Sequence, residues 1–595
     1  MKQGKKKQQS NARFGAADIL RLLPLIFFVS VTFLLVRIHP YSLPLSQFDF
    51  MAESDDTVLY DCFSHVKMSA VIAVTCISFF LLSYYLLTGK RRIRKTILYI
   101  PMGIYAFTIV LSYLFSDYKA FALFGTYERF EGTIVHLCYL FMLFYAINCI
   151  DHVDEVKLIT DTLFVAVTLA CLIGLSQFAG HDFFSYGIGK KLLLGSTDRD
   201  VTFNFWNRQI YQTVYNINYV GFYMCLVVPI LLTRITDGIR KIKTAKRSGK
   251  VYLIWLIVLL LLCLVNIYGA DSVGSAPGLL LGVVGVVLLY CNRKIRKLSC
   301  VIAPVALAVI VLMVSLGAFG TNLSPFIKNT PEREQIAYIR THDNTIEFMI
   351  DGKLFATDYH PENGVFRLYS ENGELPTFQF PDNPYRYEID DEFFMGRIAF
   401  TPIIKGERTF AFFDTQDVQW AFEYTGDGVR YVNAAGNRIL LDHDTEHAGI
   451  FKNYPFGSGR GYIWDTTLPV LKDHLLTGSG ADTFMMEFPQ DDYAVRFSNG
   501  QSVVTVYDKA HSMYLQMAVC FGIPGLIAFL AMIVCSILPY YQKESDEKYD
   551  TTAATIMIGV VAFLISAFVN DSSVNVMPMF YGLLGCGYAL SFKKS

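Results

Sequence analysis

Charged residues are scarce in this sequence. Of its 595 residues, only 17% are Asp, Glu, Lys or Arg, whereas 53% are hydrophobic; soluble domains average about 25% charged residues. The mean hydropathy is +0.37, and apolar runs of roughly 20 residues recur along the chain. These features exclude a single soluble globular domain and predict a membrane protein with many transmembrane helices.

Cysteine is missing from the longest polar stretch. Residues 321–510 contain none, and almost all of the 12 cysteines lie within apolar runs, Cys62 being the one in a clear loop. This absence excludes a disulfide framework and a cysteine-based zinc site from the polar stretch.

A cleavable signal peptide is also missing. The first apolar run, residues 19–38, is too long for a signal peptide and is not followed by a small-residue cleavage site. Residues 1–18 form a basic tail. We therefore expect the run to be retained as the first transmembrane helix, with the tail in the cytoplasm.

Cationic residues mark one side of the predicted bundle. They cluster at residues 90–95, 234–250 and 292–297 and again at the C-terminus. Because loops rich in Lys and Arg stay in the cytoplasm, we predict about twelve transmembrane helices with both termini cytoplasmic. Nine of these helices fall within residues 19–318 and three within residues 511–595.

The predicted extracytoplasmic segment contains a β-rich region. Residues 345–442 alternate with period two, as in TIEFMIDGKLFAT, and carry turn signals such as Asp351-Gly352 and Asn372-Gly373. The fold class is thus an α-helical polytopic membrane protein with an inserted extracytoplasmic β-rich domain at 319–450, sandwich or jelly-roll-like. Residues 451–510 form a further extracytoplasmic loop.

The segment 457–526 has the strongest functional pattern. Arg460 lies among glycines in GSGRGYIW, a second glycine pair follows at Gly478 and Gly480, and His511 opens the next apolar run. Glycine turns let backbone N–H groups approach an anion, and arginine matches phosphate. Histidine exchanges protons near neutral pH. This pattern predicts a site that holds a phosphate-bearing donor beside a proton acceptor.

Several predicted outer loops carry cations, against the usual bias. The loop 179–215 contains Lys190, Lys191, Arg199 and Arg208, balanced by Asp182, Asp198 and Asp200, and the loop before the fourth helix contains Lys119 and Arg129. One interpretation is a cationic vestibule for an anionic lipid-linked substrate. The other is that outer loops simply carry some Lys and Arg, which is favoured for most of these residues but not for Arg460.

These residues resemble a known family. The pattern of Arg460 with Trp464, then LKDHLLTGSGADTF, then His511 with YLQ and GIPGL, is similar to the O-antigen ligase and polymerase family of bacterial membrane glycosyltransferases. SDYKAFALFGTYERFEG and NINYVGFY add to the resemblance. It covers most of the membrane portion, and the β-rich insert lies outside it.

The resemblance implies a reaction at the outer face of the cytoplasmic membrane, in surface polysaccharide assembly. A glycan on polyprenyl pyrophosphate is passed to an acceptor hydroxyl, with no metal or cofactor. His511 matches the family's essential His, and Arg460 matches its pyrophosphate-contacting Arg. The family has a second Arg after helix seven, where this chain reads DSVGS at 271–275. Arg129 or Arg208 would have to supply that charge.

The chemistry assigns roles to these residues. Arginine neutralises the charge that grows on the leaving pyrophosphate, and a neutral His511 removes the acceptor proton. On a helix, Tyr514 would share a face with His511 and either orient the imidazole or bind sugar. Trp464 either stacks on sugar or is an ordinary interfacial tryptophan. Lys472 is a further candidate substrate contact.

The DHDTEH stretch at 442–447 has a metal-ligand appearance, with His443 and His447 four residues apart. Clustered carboxylates are common in loops, so a solvated turn is favoured and no metal site is predicted there.

Two other functions are compatible with the composition. A transporter or flippase of a lipid-linked or anionic solute would have charged or broken helices near the midplane, and the sequence has few. A surface sensor would use the β-rich domain for binding, but a dozen helices exceed what an anchor needs. The expected partners are the lipid-linked donor, a glycan, lipid or protein acceptor, and membrane lipid, but no nucleic acid. Ligase and polymerase differ in the acceptor, and the sequence leaves both open.

Overall fold

The computed structural model describes residues 14–41, 48–51, 59–197, 208–291, 334–380, 383–405, 408–415, 418–542 and 551–592. The predicted ninth membrane helix, at 298–317, and Arg199 lie outside these residues.

Helices form most of the described chain. The first part contains α1 (Ala16–Ile26, continued by π-helical Phe27–Val31 and 3-10 Thr32–Leu34), α2 (His65–Leu87), α3 (Tyr99–Phe115), α4 (Lys119–Phe124), α5 (Thr133–Cys149), α6 (Val153–Phe178), α7 (Gly187–Leu194), α8 (Ile217–Lys241), α9 (Arg247–Ala270) and α10 (Ala276–Tyr290). The later part contains α11 (Phe456–Asp473), α12 (Phe484–Glu487), α13 (Tyr493–Ser498), α14 (Met513–Gln542), α15 (Thr551–Ser566) and α16 (Met577–Ala589).

Seven of the described helical segments are long and apolar enough to cross a membrane: Ala16–Leu34, α2, α6, α8, α9, Val273–Tyr290 and Met513–Tyr540. Three shorter apolar helices, α3, α5 and α15, accompany them. Every predicted membrane helix within the described residues therefore corresponds to a helix. A membrane protein with many apolar helices is confirmed, whereas the number twelve stays a prediction.

Burial separates a central layer from a peripheral one. In α8, 83% of the apolar stretch that is long enough to span a membrane is buried inside the protein, compared with 28% in α9. Aromatic stacking joins the central helices. The ring centre of Phe222 in α8 lies 3.7 Å from that of Phe563 in α15, and the Phe563 ring centre lies 4.9 Å from that of Phe580 in α16. Peripheral helices expose large apolar side chains such as Leu261, as expected for a surface that faces lipid.

The inserted region is a β-sandwich. Its strands are β3 (Ile336–His342), β4 (Thr345–Ile350), β5 (Lys353–His360), β6 (Val365–Ser370), β7 (Gly373–Glu374), β8 (Thr377–Phe380), β9 (Asn383–Ile389), β10 (Ile398–Lys405), β11 (Arg408–Thr415), β12 (Val418–Thr425), β13 (Gly428–Val432) and β14 (Arg438–Ile439); β1 (His39–Pro40) and β2 (Tyr60–Asp61) form a separate small sheet.

The sandwich has a five-stranded sheet, β3 to β7, and a seven-stranded sheet, β8 to β14, in which neighbours in sequence are neighbours in space. Phe348 and Phe355 of the first sheet meet Phe413 of the second at ring distances of 5.4 and 5.6 Å. The meander agrees with the predicted sandwich and lacks the crossed connections of a jelly roll. Its extracytoplasmic position stays a prediction.

Helix α13 joins the sandwich to the segment that precedes His511. Phe497 packs 5.6 Å from Trp420, and Tyr493 packs 4.7 Å from Tyr431. The Ser498 hydroxyl accepts a hydrogen bond from the Ile336 N–H and donates one to the Ile336 carbonyl. The β-rich insert therefore shares its hydrophobic core with the neighbouring loop region.

Candidate active site

His511 lies in a loop at the start of α14. The helix begins at Met513, and His511 has a left-handed backbone, with φ of 50°. The prediction that His511 and Tyr514 share a helix face is wrong for this reason. The Met513 N–H donates to the carbonyls of Ala567 and Asn570 at 3.0 and 2.8 Å, so the loop is attached to the α15–α16 connection.

Asp571 holds the imidazole of His511. His511 Nδ1 lies 3.2 Å from Asp571 Oδ2, and the carboxylate side chain is only 2% exposed. A carboxylate on Nδ1 favours the tautomer that keeps Nε2 as the proton acceptor. The His511 side chain is 28% exposed, so the ring is reachable from outside the bundle.

The charge of Asp571 is stabilised by its surroundings. Burial acts to raise the pKa of the Asp571 carboxyl. The hydrogen bond from His511 and the positive charges of Arg129 and Lys509 outweigh burial, so this pKa lies below its ordinary value. Asp571 is therefore ionised at neutral pH and is the negatively charged partner of the His511 ring.

Two contacts fix the residue before His511. Trp464 Nε1 donates to the Ala510 carbonyl at 3.0 Å, and the Ala510 N–H donates to Gln516 Oε1 at 2.9 Å. Trp464 is buried among aromatic side chains of α11 and its preceding loop. These bonds position the His511 backbone through α11 and α14.

Arg460 reaches the loop that carries Asp571. Residues 457–459 form a left-handed turn, after which the regular part of α11 begins. Arg460 Nη1 donates to the Gly457 carbonyl at 2.5 Å, and Nε donates to the Val569 carbonyl at 3.1 Å. The glycine turn thus folds the arginine back toward the histidine site.

Arg129 is the second arginine near this loop. Its side chain is 3% exposed, its Nε donates to Asp482 Oδ1, and Glu131 lies 3.8 Å away. Nη1 of Arg129 is buried and has no hydrogen-bond partner among the described residues. It contributes to a small polar cavity that Glu131 and Ser572 also line.

The turn at 478–480 positions Asp482 and seals a broken helix. α14 is interrupted at Gly522, which has φ of 70°. The N–H groups of Ser479 and Gly480 donate to the carbonyls of Val519 and Cys520 at 2.9 and 3.1 Å. The prediction that this glycine pair faces an anion is wrong, because the interrupted helix takes the Gly480 N–H and the His474 carbonyl takes the Gly478 N–H at 3.0 Å.

Lys509 is a third cation of the site. It is buried, and Nζ donates to Asp508 Oδ2 at 2.9 Å. Burial acts to lower the pKa of Lys509, but Asp508 and then Tyr219 and Asp571 raise it above its ordinary value. Lys509 therefore keeps its charge two residues before His511.

Two glutamates near the cations have raised pKa values. Burial raises the pKa of Glu128 and of Glu131 to about 7. Glu131 is buried and accepts a hydrogen bond from Tyr139 at 3.0 Å. Glu128 has φ of 67°, Asp482 has φ of 61°, and strained backbone of this kind concentrates at functional sites.

The remaining predicted residues lie elsewhere or have other contacts. The Tyr514 hydroxyl donates to the Leu564 carbonyl at 2.6 Å. Lys472 is exposed and pairs with Glu446. It lies twelve positions after Arg460, which is about 18 Å along α11. Arg208 is exposed. His511, Arg460 and Arg129 are the predicted residues that converge on Asp571.

The DSVGS turn, where the family has its second Arg, lies beside the same loop. The Ser566 hydroxyl at the end of α15 donates to the Gly274 carbonyl at 3.2 Å. This turn therefore adjoins the connection that carries Asp571, without contributing a cation.

The DHDTEH stretch forms pairs with neighbouring acids. His443 lies 3.3 Å from Asp491, and His447 lies 3.2 Å from Asp492. Within the described ranges, no group of three or more His, Cys, Asp or Glu side chains is arranged to hold a metal ion. Metal independence stays a prediction.

Sequence reasoning missed Asp571, Lys509 and Asp508. Asp571 is the acid in NDSSVNV, a short polar run between two apolar runs. The polar run itself was the available signal in the sequence. The structure shows why it matters, because residues from Asn570 to Asn575 are buried.

A family model described as O-antigen ligase matches residues 408–530. No curated protein matches the chain. The matched segment begins in β11 and ends in α14, so it contains Arg460, Trp464, Lys472, His511 and Tyr514. It also contains four strands of the sandwich, so the prediction that the whole insert lies outside the resemblance is wrong.

Proposed function

Because residues 408–530 of this chain are O-antigen ligase-like, we propose that the protein moves a glycan from a polyprenyl-pyrophosphate donor to an acceptor hydroxyl. The reaction takes place at the outer face of the cytoplasmic membrane during surface polysaccharide assembly. The observation that carries this proposal is the His511–Asp571 pair, 3.2 Å apart, on a loop that Arg460 also contacts.

His511 is the general base. Its Nε2 takes the proton of the acceptor hydroxyl as the acceptor oxygen bonds to the anomeric carbon of the glycan. Asp571 fixes the tautomer and stabilises the resulting imidazolium. The bond from the anomeric carbon to the pyrophosphate oxygen breaks, and polyprenyl pyrophosphate leaves with the electron pair. The imidazolium then returns its proton to solvent.

Arg460, Arg129 and Lys509 neutralise the leaving pyrophosphate. Preorganised cations in a site with little water stabilise charge more than they would in solution. Arg129 suits this role because Nη1 is buried without a partner in the described part of the chain. It supplies the charge that the DSVGS turn lacks.

Lys509 takes part by exchanging partners. In this structure its Nζ is bonded to Asp508, which is 28% exposed. The diphosphate group as a whole carries two negative charges, and a third develops as its bond to the anomeric carbon breaks, whereas Asp508 carries one, so the diphosphate competes with Asp508 for the ammonium. Donor binding therefore replaces the Asp508 contact of Lys509 with a phosphate contact.

The test compares His511→Ala and Arg460→Ala with wild type in the native host, at equal protein levels. We expect finished surface polysaccharide to disappear and lipid-linked oligosaccharide to accumulate. The matched controls are His443→Ala, an exposed histidine, and Arg340→Ala, a half-buried arginine, both outside the site; they should leave both quantities unchanged. Normal polysaccharide in the His511 variant would refute the proposal.

A further inference from the structure

The seven-stranded sheet presents aromatic side chains on the face that points away from the five-stranded sheet. Phe410 and Phe412 of β11 alternate with buried residues and are only half-buried themselves. Their rings lie 6.2 Å apart with planes at 25°. On the same face, Phe378 and Ile403 are each 42% exposed. We call this surface, which carries Phe378, Ile403, Phe410 and Phe412, the aromatic face; exposed apolar side chains grouped on one face are typical of interaction sites.

Arginine side chains stack on two phenylalanine rings of the seven-stranded sheet. The Arg408 guanidinium lies 4.9 Å from the centre of the Phe410 ring, and Arg386 lies 4.8 Å from that of Phe380. The strand pairing puts more cations than carboxylates on the aromatic face. The cations are Arg386, Lys405, Arg408, Arg430 and Arg438, and the carboxylates are Glu388, Asp414 and Glu423.

Two of the three carboxylates, Asp414 and Glu423, are paired with arginines. Glu423 accepts bonds from Arg408 Nε and Nη2 at 2.8 and 3.1 Å, and from Arg438 Nε at 2.7 Å. The two arginine side chains are nevertheless 58% and 41% exposed. Glu423 thus fixes two guanidinium groups in place while their outer nitrogens face solvent, an arrangement suited to binding a further anion.

Small residues next to Phe412 complete the surface. Thr401 and Ala421 are its partners on the neighbouring strands. A planar ring flanked by short side chains leaves room for a flat, weakly polar object to lie on the aromatic ring, whose negative face attracts C–H groups. A sugar ring has this shape and polarity.

We propose that the aromatic face binds an anionic glycan chain. Sugar rings stack on Phe410 and Phe412, and carboxylate or phosphate groups of the chain pair with Arg408 and Arg438. The inference rests on the proposed function, because it takes the glycan to be the polymer that the enzyme extends or transfers. The face then holds that polymer near the transferase.

Two other occupants fit less well. A membrane surface would bury Glu388, Asp414 and Glu423 against lipid, which is costly for carboxylates. A second copy of the chain would bring two faces of the same net charge together, which opposes association. The excess of cations favours an anionic partner.

The experiment uses the full-length protein in nanodiscs and the host's own purified surface polysaccharide as probe, with neutral dextran for comparison. Phe410→Ser with Phe412→Ser should weaken polysaccharide binding about tenfold, from the lost stacking. Arg408→Gln should weaken it and reduce its salt dependence. Arg367→Gln, an exposed arginine of β6 in the other sheet, is the matched control and should bind like wild type.

The other outcomes overturn the proposal. They are unchanged polysaccharide affinity in both variants, equal binding of dextran, or a variant effect confined to anionic vesicles or to self-association. His511→Ala keeps the polysaccharide affinity if the proposal is right. An experiment that refutes glycan binding by the aromatic face can therefore be told apart from one that refutes the proposed transferase activity.

Discussion

At the scale of single residues, the proposal that His511 acts as a base rests on its pairing with Asp571. A histidine at a membrane interface is ordinary, but the carboxylate that lies 3.2 Å from His511 Nδ1 is buried and selects the tautomer in which Nε2 accepts a proton. The pair therefore distinguishes a general base from an interfacial polar cap.

We expect Asp571→Asn to lower kcat by about 10²-fold with little change in KM, because asparagine removes the charge that stabilises the imidazolium. Single-turnover transfer from a lipid-linked donor measures this. Asp427→Asn, in an exposed turn, serves as the control. An Asp571→Asn enzyme with wild-type kcat would contradict the assignment.

Glu131 predicts the pH dependence of stability. Burial raises the pKa of its carboxyl from 4.5 to about 7. The folded protein therefore holds a proton that the unfolded chain loses above about pH 4.5, so this group's contribution to stability falls as pH rises from about 4.5 to 7.

Glu131→Gln removes that titration. We expect the variant to melt at a higher temperature than wild type at pH 8, and the difference to shrink toward pH 5. Thermal unfolding in detergent at both pH values measures it, with the exposed Glu362→Gln as control. A pH-independent difference would show that Glu131 is ionised throughout this range.

At the scale of elements, a polar clamp holds the loop 502–511. Arg496 of α13 is buried and donates to the carbonyls of Gln490, Ser502 and Thr505. Gln490 bonds both backbone groups of Tyr507, at 2.9 and 3.0 Å. The clamp runs from the helix that contacts the sandwich to the loop that carries Lys509 and His511.

Arg496→Met should lower kcat about tenfold or more, because losing donors to buried carbonyls costs about 1–3 kcal/mol and loosens the loop. Hydrogen exchange should rise specifically in 502–511, and donor affinity should fall because Lys509 lies on the same loop. Arg397→Met, an exposed arginine of the sandwich, is the control. Unchanged exchange in that loop would contradict the clamp.

The turn at Gly478 should not accept a side chain. A Cβ at Gly478 would lie 2.3 Å from the Cys520 carbonyl, and its φ is 73°. Gly449, with φ of 68° and nothing within 4 Å of the same Cβ position, is a matched control for backbone strain alone. We expect Gly478→Ala to destabilise the protein by about 1–3 kcal/mol more than Gly449→Ala, measured by thermal unfolding. Equal effects would show that the turn moves away from α14 without cost.

At the scale of the whole molecule, the sandwich and the transferase region are coupled by packing. Trp420 and Tyr431 of the sandwich contact Phe497 and Tyr493 of α13. The Asn437 amide also donates to the Asp49 carbonyl at 2.6 Å, in the segment between α1 and α2. The insert therefore supports the helix that precedes the His511 loop, in addition to being a candidate binding domain.

Replacing residues 336–439 with a short Gly-Ser linker should abolish transfer even where the protein still inserts in the membrane. The physical reason is that α13 loses the aromatic side chains against which it packs. Size-exclusion profile, donor binding and hydrogen exchange of 502–511 test this together. Full activity of a well-folded truncated protein would confine the sandwich to glycan binding.

Much of the architecture follows from local sequence. Apolar runs, loop cations and period-two alternation predicted helices, a possible orientation and a β-sandwich, because hydrophobic periodicity reports secondary structure directly. The segment that contains Arg460 and His511 was also recognisable, since glycines, an arginine and a histidine lie close together along the chain.

The pairings within the site were decided only by tertiary structure. Arg129 and Asp482 are 353 residues apart, and Asp571 reaches His511 from the connection between the last two helices. Such partners are selected by burial, which makes each charge depend on a distant counter-charge. The sequence by itself determined the membrane helices, the inserted strands and the residue types of the chemistry. The fold determined which carboxylate lies against His511 and which cations lie near that carboxylate.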